Sequence, residues 1–197
     1  MDQRICTIFQ YNIYVVKLNL DLKSLEKFCF ELQKNNKGIR VIKSNVGGWQ
    51  SEELYDQYPI IVEFKKNIFE HINNYSKEFN FNKKLKISNC WININAHKDS
   101  NVPHTHPKSF FSGVFYIKTP KKSGKLTFLN PGRNLMEWVF DENVTDYNQQ
   151  NSSIWSFEPE ENMLFIFPSF LEHKVTPHMN KTEKRISISF NTELKQS

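Results

Sequence analysis

The chain has 197 residues, of which 39% are hydrophobic and 24% charged, and it carries a formal net charge of +5. One hydrophobic core commonly serves that length, so a single domain over 1–197 is expected, and the composition is that of a soluble globular protein. Three cysteines without a CxxC pair exclude a disulfide framework and a cysteine zinc site, and no stretch approaches the ~18 apolar residues of a membrane span.

The first residues, MDQRICTIFQYNIYVV, contain no charged region leading into a long apolar run, so the reading is a cytoplasmic protein, neither secreted nor inserted. The positive charge is spread over lysines, with only short clusters at Lys65-Lys66, Lys83-Lys84 and Lys121-Lys122. That pattern reads as a solvated basic surface, so nucleic acid is not the expected partner, nor is a membrane.

In chain order, Leu25, Phe28, Cys29 and Leu32 recur at helical spacing and predict a helix between Asp21 and Asn35, with Gly38 as its stop. Ile61, Phe64, Ile68, Ile72 and Tyr75 draw a second apolar stripe from Pro59 to about Phe79. Beyond Asn82 the pattern changes to short β-branched and aromatic runs. Strands are expected near 85–95, 110–118, 125–129, 152–157, 162–167, 171–176 and 184–192. Lys121-Lys122-Ser123-Gly124 reads as a hairpin turn and Asn130 to Asn134 as a loop. Strands this short and numerous imply a barrel or jelly roll over about 83–193, with helical support over about 1–82.

Two strands alternate unusually. Between Leu85 and Asn95 one face carries Asn89, Trp91, Asn93 and Asn95, and the other Cys90, Ile92 and Ile94. In the last strand Arg185, Ser187, Ser189 and Asn191 alternate with Ile186, Ile188 and Phe190. The polar faces either meet solvent or line a cavity inside the barrel while the apolar faces pack under the helices. The cavity suits Trp91 better.

Among six histidines, His71, His97 and His178 read as ordinary surface or capping residues. His104 and His106 differ: one residue apart in an extended segment, stiffened by Pro103 and Pro107, they leave the backbone on one face and can reach one ion. His173 follows Phe165-Ile166-Phe167-Pro168-Ser169 at the start of another expected strand. Imidazole suits iron, and two or three facial ligands leave positions open for an oxo acid and dioxygen. Arg185 has the planar fork that grips a carboxylate, and the Ser187 hydroxyl shares its face, a pair shaped for the distal end of a dicarboxylic acid.

The order H-x-H, S-G-V-F-Y-I, a glycine-bearing turn, F-P-S-F-x-x-H and R-I-S-I-S-F-N resembles the 2-oxoglutarate and iron(II) oxygenases of the double-stranded β-helix fold found in bacteria and phages. The likeness covers about 85–192, with Ser44 to Ser51 similar to an upstream element of that group. It implies a mainly β fold with bracing helices (α+β), a jelly-roll or cupin-like core, and Fe(II) and 2-oxoglutarate as cofactors, with ascorbate as an optional supporting reductant. His104 and His173 match the first and last metal ligands. His106 stands where a carboxylate is usual, which leaves three readings: a three-histidine site, a two-histidine site with His106 turned aside, or a degenerate site without catalysis. A two-ligand site would leave a halogenase open. By position, Asn93 and Tyr116 resemble side chains that reach 2-oxoglutarate, with Asn95 similarly placed and Trp91 as a cavity wall.

The resemblance implies hydroxylation of a peptide or protein side chain, or of a small metabolite, with release of succinate and CO2, and the reading allows a homodimer. Gly47-Gly48-Trp49 and the region 134–153 stand as either substrate loops or plain connectors. A cupin-like three-histidine dioxygenase without 2-oxoglutarate is the alternative enzyme, although Lys108, Ser109, Phe110 and Phe111 fill the interval where its glutamate would stand. A non-catalytic metal-binding module is the third reading.

Overall fold

The computed structural model describes residues 3–6, 8–36, 41–81, 83–140 and 143–195. Its elements run β1 (Tyr14–Lys17), α1 (Leu22–Asn35), β2 (Asn45–Val46), β3 (Trp49–Gln50), α2 (Pro59–Ser76), β4 (Leu85–Asn95), β5 (Ser100–His104), β6 (Phe111–Lys118), β7 (Leu126–Leu129), α3 (Arg133–Phe140), β8 (Ile154–Phe157), β9 (Met163–Pro168), β10 (His173–Val175) and β11 (Arg185–Leu194).

Both expected helices form for the reasons their sequences give. The Asp21 carboxylate accepts the backbone amides of Lys23 and Ser24 at 3.1 and 3.2 Å, satisfying N–H groups that the first turn of α1 leaves without partners. Gly38 lies outside the described residues; α1 ends with the Asn36 amide donating to the Leu32 carbonyl. Pro59 opens α2, where its missing N–H costs nothing. The last residues of the expected stripe, Lys77–Phe79, tighten into a 3-10 turn, and Asn80 ends it at φ 49°.

Two antiparallel sheets face each other. One has the order β1-β9-β6-β11-β4-β3, the other β2-β5-β10-β7-β8. Strand alternation in the first sheet decides which side is dry. Cys90, Ile92, Ile94, Phe115, Ile117, Leu164, Ile166, Ile186, Ile188 and Phe190 point outward and pack under α1 and α2. There they meet Leu25, Cys29 and Leu32 of α1 and Ile61, Phe64, Ile68, Ile72 and Tyr75 of α2. Each such side chain contributes roughly 1.5–3 kcal/mol by burial. The residues between them turn inward: Val114, Tyr116, Phe165 and Phe167 join Leu126, Phe128 and Leu171 in a second apolar cluster between the sheets. No described helix is long and apolar enough to cross a membrane.

Several elements depart from expectation. Residues 121–124 are not a hairpin, because β6 lies in one sheet and β7 in the other; the turn crosses the barrel edge. Lys122 and Gly124 do take positive φ there, 65° and 82°. Arg133–Phe140, read as loop, is helix α3, which buries none of its residues. His178 is not a surface residue. It is fully buried in its loop, with Nε2 against the Glu183 carbonyl at 2.8 Å. His71 pairs with the Tyr14 hydroxyl at 3.0 Å. The segment holding His104 is itself a strand, β5, and its pairing with β10 is irregular where Val102 and Pro103 oppose Lys174, a place where proline's missing donor is tolerated.

Gly113 of β6 faces Phe190 across the ladder, and a Cβ there would come within 2.3 Å of the Phe190 ring and 2.8 Å of the Phe165 carbonyl. Gly113→Ala is therefore expected to destabilise the protein by about 1–3 kcal/mol through overpacking. Thermal unfolding followed by circular dichroism would read this as a fall of several degrees; an unchanged midpoint would contradict the close approach.

Candidate functional site

The ladder that joins β5 to β10 sets His104 directly opposite His173. His106 follows two residues later and enters from the same side, so three imidazoles converge with ring centroids 4.3, 5.0 and 5.2 Å apart. One nitrogen of each lies within 4.8 Å of the others, and no Asp or Glu belongs to the group among the described residues. Of the three readings at His106, the geometry is that of a ring turned toward the other two rather than aside.

The two register-paired histidines are oriented alike. The His104 Nδ1 lies 2.7 Å from the Val102 carbonyl, and the His173 Nδ1 3.0 Å from the Leu171 carbonyl, each two residues earlier in the chain. A carbonyl only accepts, so Nδ1 carries the proton in both rings and Nε2 holds the free lone pair. The Ser44 hydroxyl stands 3.3 Å from the His104 Nε2. His106 is anchored differently. Its backbone amide donates to the Ser169 carbonyl at 2.9 Å, and its ring packs on Trp91 at 5.9 Å.

Behind the imidazoles lies a cavity of about 340 Å³, walled on one side by the inward faces of β4 and β11: Asn89, Trp91, Asn93 and Asn95 beside Arg185, Ser187, Ser189 and Asn191. Arg185 pairs in register with Asn95, and Ser187 with Asn93. Asn93 donates to the Ser189 hydroxyl at 3.1 Å, while the Asn95 side-chain oxygen is buried without a partner. Arg185 is 2% exposed, and its Nη1 donates to the Ser123 carbonyl at 2.7 Å. Among the described residues no ion pair includes it. Burial works against its charge, and Tyr116 and Asp99 work for it. Burial in turn pushes the Tyr116 phenol up to about 12, so Tyr116 keeps its proton and remains a donor.

The structure thus brings His104, His106, His173, Arg185, Ser187, Asn93 and Tyr116 to one cavity. Among the described residues, Gly47-Gly48-Trp49 and 134–153 do not line it. Lys43, Ser44 and Gln50 do; Ser44 and Gln50 belong to the segment noted as an upstream likeness, and β2 and β3, of two residues each, are too short for a period to mark which side chains face inward.

A family model described as 2OG-Fe(II) oxygenase matches residues 89–191. The chain belongs to this family of iron(II)- and 2-oxoglutarate-dependent oxygenases. No curated protein matches the sequence. Among solved structures the oxygenase is similar to a prolyl-4-hydroxylase of Pseudomonas putida, at 12% identity and a TM-score of 0.67 over 94% of each chain. It is also similar to the viral collagen prolyl hydroxylase of Paramecium Bursaria Chlorella virus-1 in its 2OG complex, at 12% identity and a TM-score of 0.62 over 91% of this chain and 94% of that one. HygX of Streptomyces hygroscopicus, with nickel and 2-oxoglutarate bound, matches at 9% identity and a TM-score of 0.65, covering 94% and 84% of the two chains. These likenesses are of fold, the double-stranded β-helix.

The donor set of the oxygenase fits a divalent transition metal. Burial, the main cause, pushes the His106 imidazole down to about 4 and His173 to about 3, and it lowers His104 as well; the neighbouring imidazoles reinforce the effect at His106 and His173. All three rings are therefore neutral at pH 7, the state in which imidazole ligates. Acid should consequently weaken the metal-free fold. Unfolded histidine protonates near 6.5 and these do not, so stability is full above about pH 6.5 and is lost as pH falls toward the folded values. At pH 5 the loss is on the order of 2 kcal/mol for each of His106 and His173. Urea titrations of the metal-free protein at pH 7 and pH 5 should differ accordingly, and His106→Asn should flatten the dependence; equal stabilities at both pH values would contradict neutral buried rings.

Proposed function

We propose that the protein hydroxylates an aliphatic C–H bond of a peptide side chain or small metabolite, coupled to conversion of 2-oxoglutarate into succinate and CO2. The observation that carries the reading is Arg185: a guanidinium sealed at the back of the cavity that the imidazoles enter, with no carboxylate to pair with among the described residues. An unpaired buried charge costs several kcal/mol, and a ligand carboxylate relieves that cost. A three-histidine centre without 2-oxoglutarate would have no use for it.

His104, His106 and His173 are assigned to the metal. Iron(II) with 2-oxoglutarate bound supplies the oxidative decarboxylation and the oxygen insertion. The protein does the rest by placement. Three imidazoles on one side leave the cavity side of the metal free. The carbonyls of Val102 and Leu171 hold Nδ1–H and so aim the Nε2 lone pairs of His104 and His173. Arg185 would hold the distal carboxylate of 2-oxoglutarate, a group its planar fork suits, with Ser187 and Tyr116 as hydroxyl donors from adjacent strands in register. Asn93, held by Ser189, keeps its amide edge on the same wall. Trp91, tilted against His106, shields the reacting face from water.

The peptide or metabolite class is supported by the fold neighbours, which include prolyl hydroxylases and HygX. Arg185→Ala is expected to weaken 2-oxoglutarate binding by roughly 30-fold or more, the effect of removing one partner of a buried charge pair, with metal affinity little changed. Arg185→Lys should lose part of that affinity, because an ammonium replaces the bidentate fork. Calorimetric titrations of metal and of 2-oxoglutarate separate the two; parallel losses of both affinities would refute the role of Arg185, and absence of succinate in every substrate screen would refute the reaction.

A further inference from the structure

The charge around the cavity is one-sided. Not one Asp or Glu is among the described residues that line it, whereas two cations do, Arg185 at the back and Lys43 on the side of His106. Arg185 is buried and Lys43 is exposed, so they sit at opposite depths. None of the described ion pairs includes Lys43.

The loop that carries Lys43 is built rather than loose. The Val41 amide donates to the Gln50 carbonyl at 3.2 Å, and the Asn45 side chain ties the loop at both ends, accepting the Lys43 amide at 2.8 Å and donating to the Val41 carbonyl at 3.2 Å. The loop closes on β4 by pairing Gln50 with Asn93. Gln50 is only 6% exposed and lines the same cavity. One loop thus presents the Lys43 ammonium and the Gln50 amide to the cavity.

We infer that Lys43 and Gln50 form a second oxyanion subsite, and that the substrate is an acid whose carboxylate or phosphate group is held there while its C–H bond faces the metal. The inference rests on the oxygenase reading above, in which 2-oxoglutarate occupies Arg185. An ammonium and an amide N–H make charge-assisted bonds to either oxyanion, and Trp91 offers an apolar wall for the carbon skeleton between. A neutral substrate would leave Lys43 facing a cavity with no counter-charge.

The test uses the protein loaded with zinc and saturated with N-oxalylglycine, an unreactive analogue that fills the 2-oxoglutarate position. Binding of N-oxalylglycine, and its loss in Arg185→Ala, is measured first, so a failure of the oxygenase reading appears at that step alone. Acetate and inorganic phosphate are then titrated separately, each followed by the broadening of its own NMR signal. The wild-type protein should saturate with one anion per chain; Lys43→Met should weaken it about tenfold, the worth of one charge-assisted hydrogen bond, Lys43→Glu should abolish it, and Lys43→Arg should restore it. Preference for acetate would mark a carboxylic acid substrate, preference for phosphate a phosphorylated one. Absence of saturable binding to the wild type, or equal binding by Lys43→Met and Lys43→Glu, would overturn the inference.

Discussion

The ladder between β4 and β11 is the constraint on which the other features depend. Its register runs from Arg185 opposite Asn95 to Leu194 opposite Leu85. Because side chains alternate along both strands, fixing Ile92 against Ile188 under the helices fixes Trp91 and Ser189 inside the barrel. A slip of one residue would drive Arg185, Ser187, Asn93 and Asn95 into the apolar layer beneath α1 and α2 and strip the cavity of the polar groups these two strands supply. The hydrophobic effect on the outer face thus enforces the chemistry of the inner one. No interaction within the site needs to be strong enough to hold these groups in place.

The clustered histidines depend on a different constraint, one of local backbone. In both His104 and His173 the ring leans back on the carbonyl two residues before it, so the tautomer is set by a few atoms of the same strand. That arrangement keeps the ligand direction independent of distant side chains. His106 lies beyond the end of β5, and its ring has no such carbonyl among the described residues. Its ring is positioned by packing on Trp91, and its backbone by Ser169, whose hydroxyl continues through Ser112 to Asn191. The His106 position is therefore coupled to β4, β6 and β11, whereas the other two histidines are coupled chiefly to each other across β5 and β10.

What the sequence disclosed follows the same division. The β4 and β11 strands were legible because opposite chemistries alternate over residues 89–95 and 185–191, and the helices because their apolar stripes are long. The histidine pair was legible because a one-residue spacing needs only an extended backbone. Elements that depend on tertiary context were not. β5 holds Val102 and Pro103 at an irregular pairing, which breaks any strand pattern. Helix α3 leaves Leu135 and Trp138 exposed, 74% and 85%, so nothing in the packing betrays it. Residues 121–124 have the composition of a turn and make one, yet turn chemistry does not say which sheet the next strand joins; that choice is fixed by Gly124, where a Cβ would meet the Thr176 carbonyl at 2.2 Å. His178 carried no sequence sign of burial, since its partner is a backbone carbonyl five residues on.

The same turn also explains how a lone guanidinium survives inside the barrel. Arg185 has five N–H groups, and the Ser123 carbonyl, presented by the crossing turn, takes one from Nη1. One neutral acceptor does not repay the desolvation of a charge, so the empty pocket carries a deficit that the outer core must offset. A protein selected for stability alone would place an apolar residue there. If Arg185 takes the carboxylate proposed above, a ligand that binds the folded but not the unfolded chain returns its binding free energy as stability. On that proposal fold and co-substrate are linked through one side chain, whose register partner Asn95 and strand neighbour Ser187 are held on the same wall by the ladder that builds the barrel.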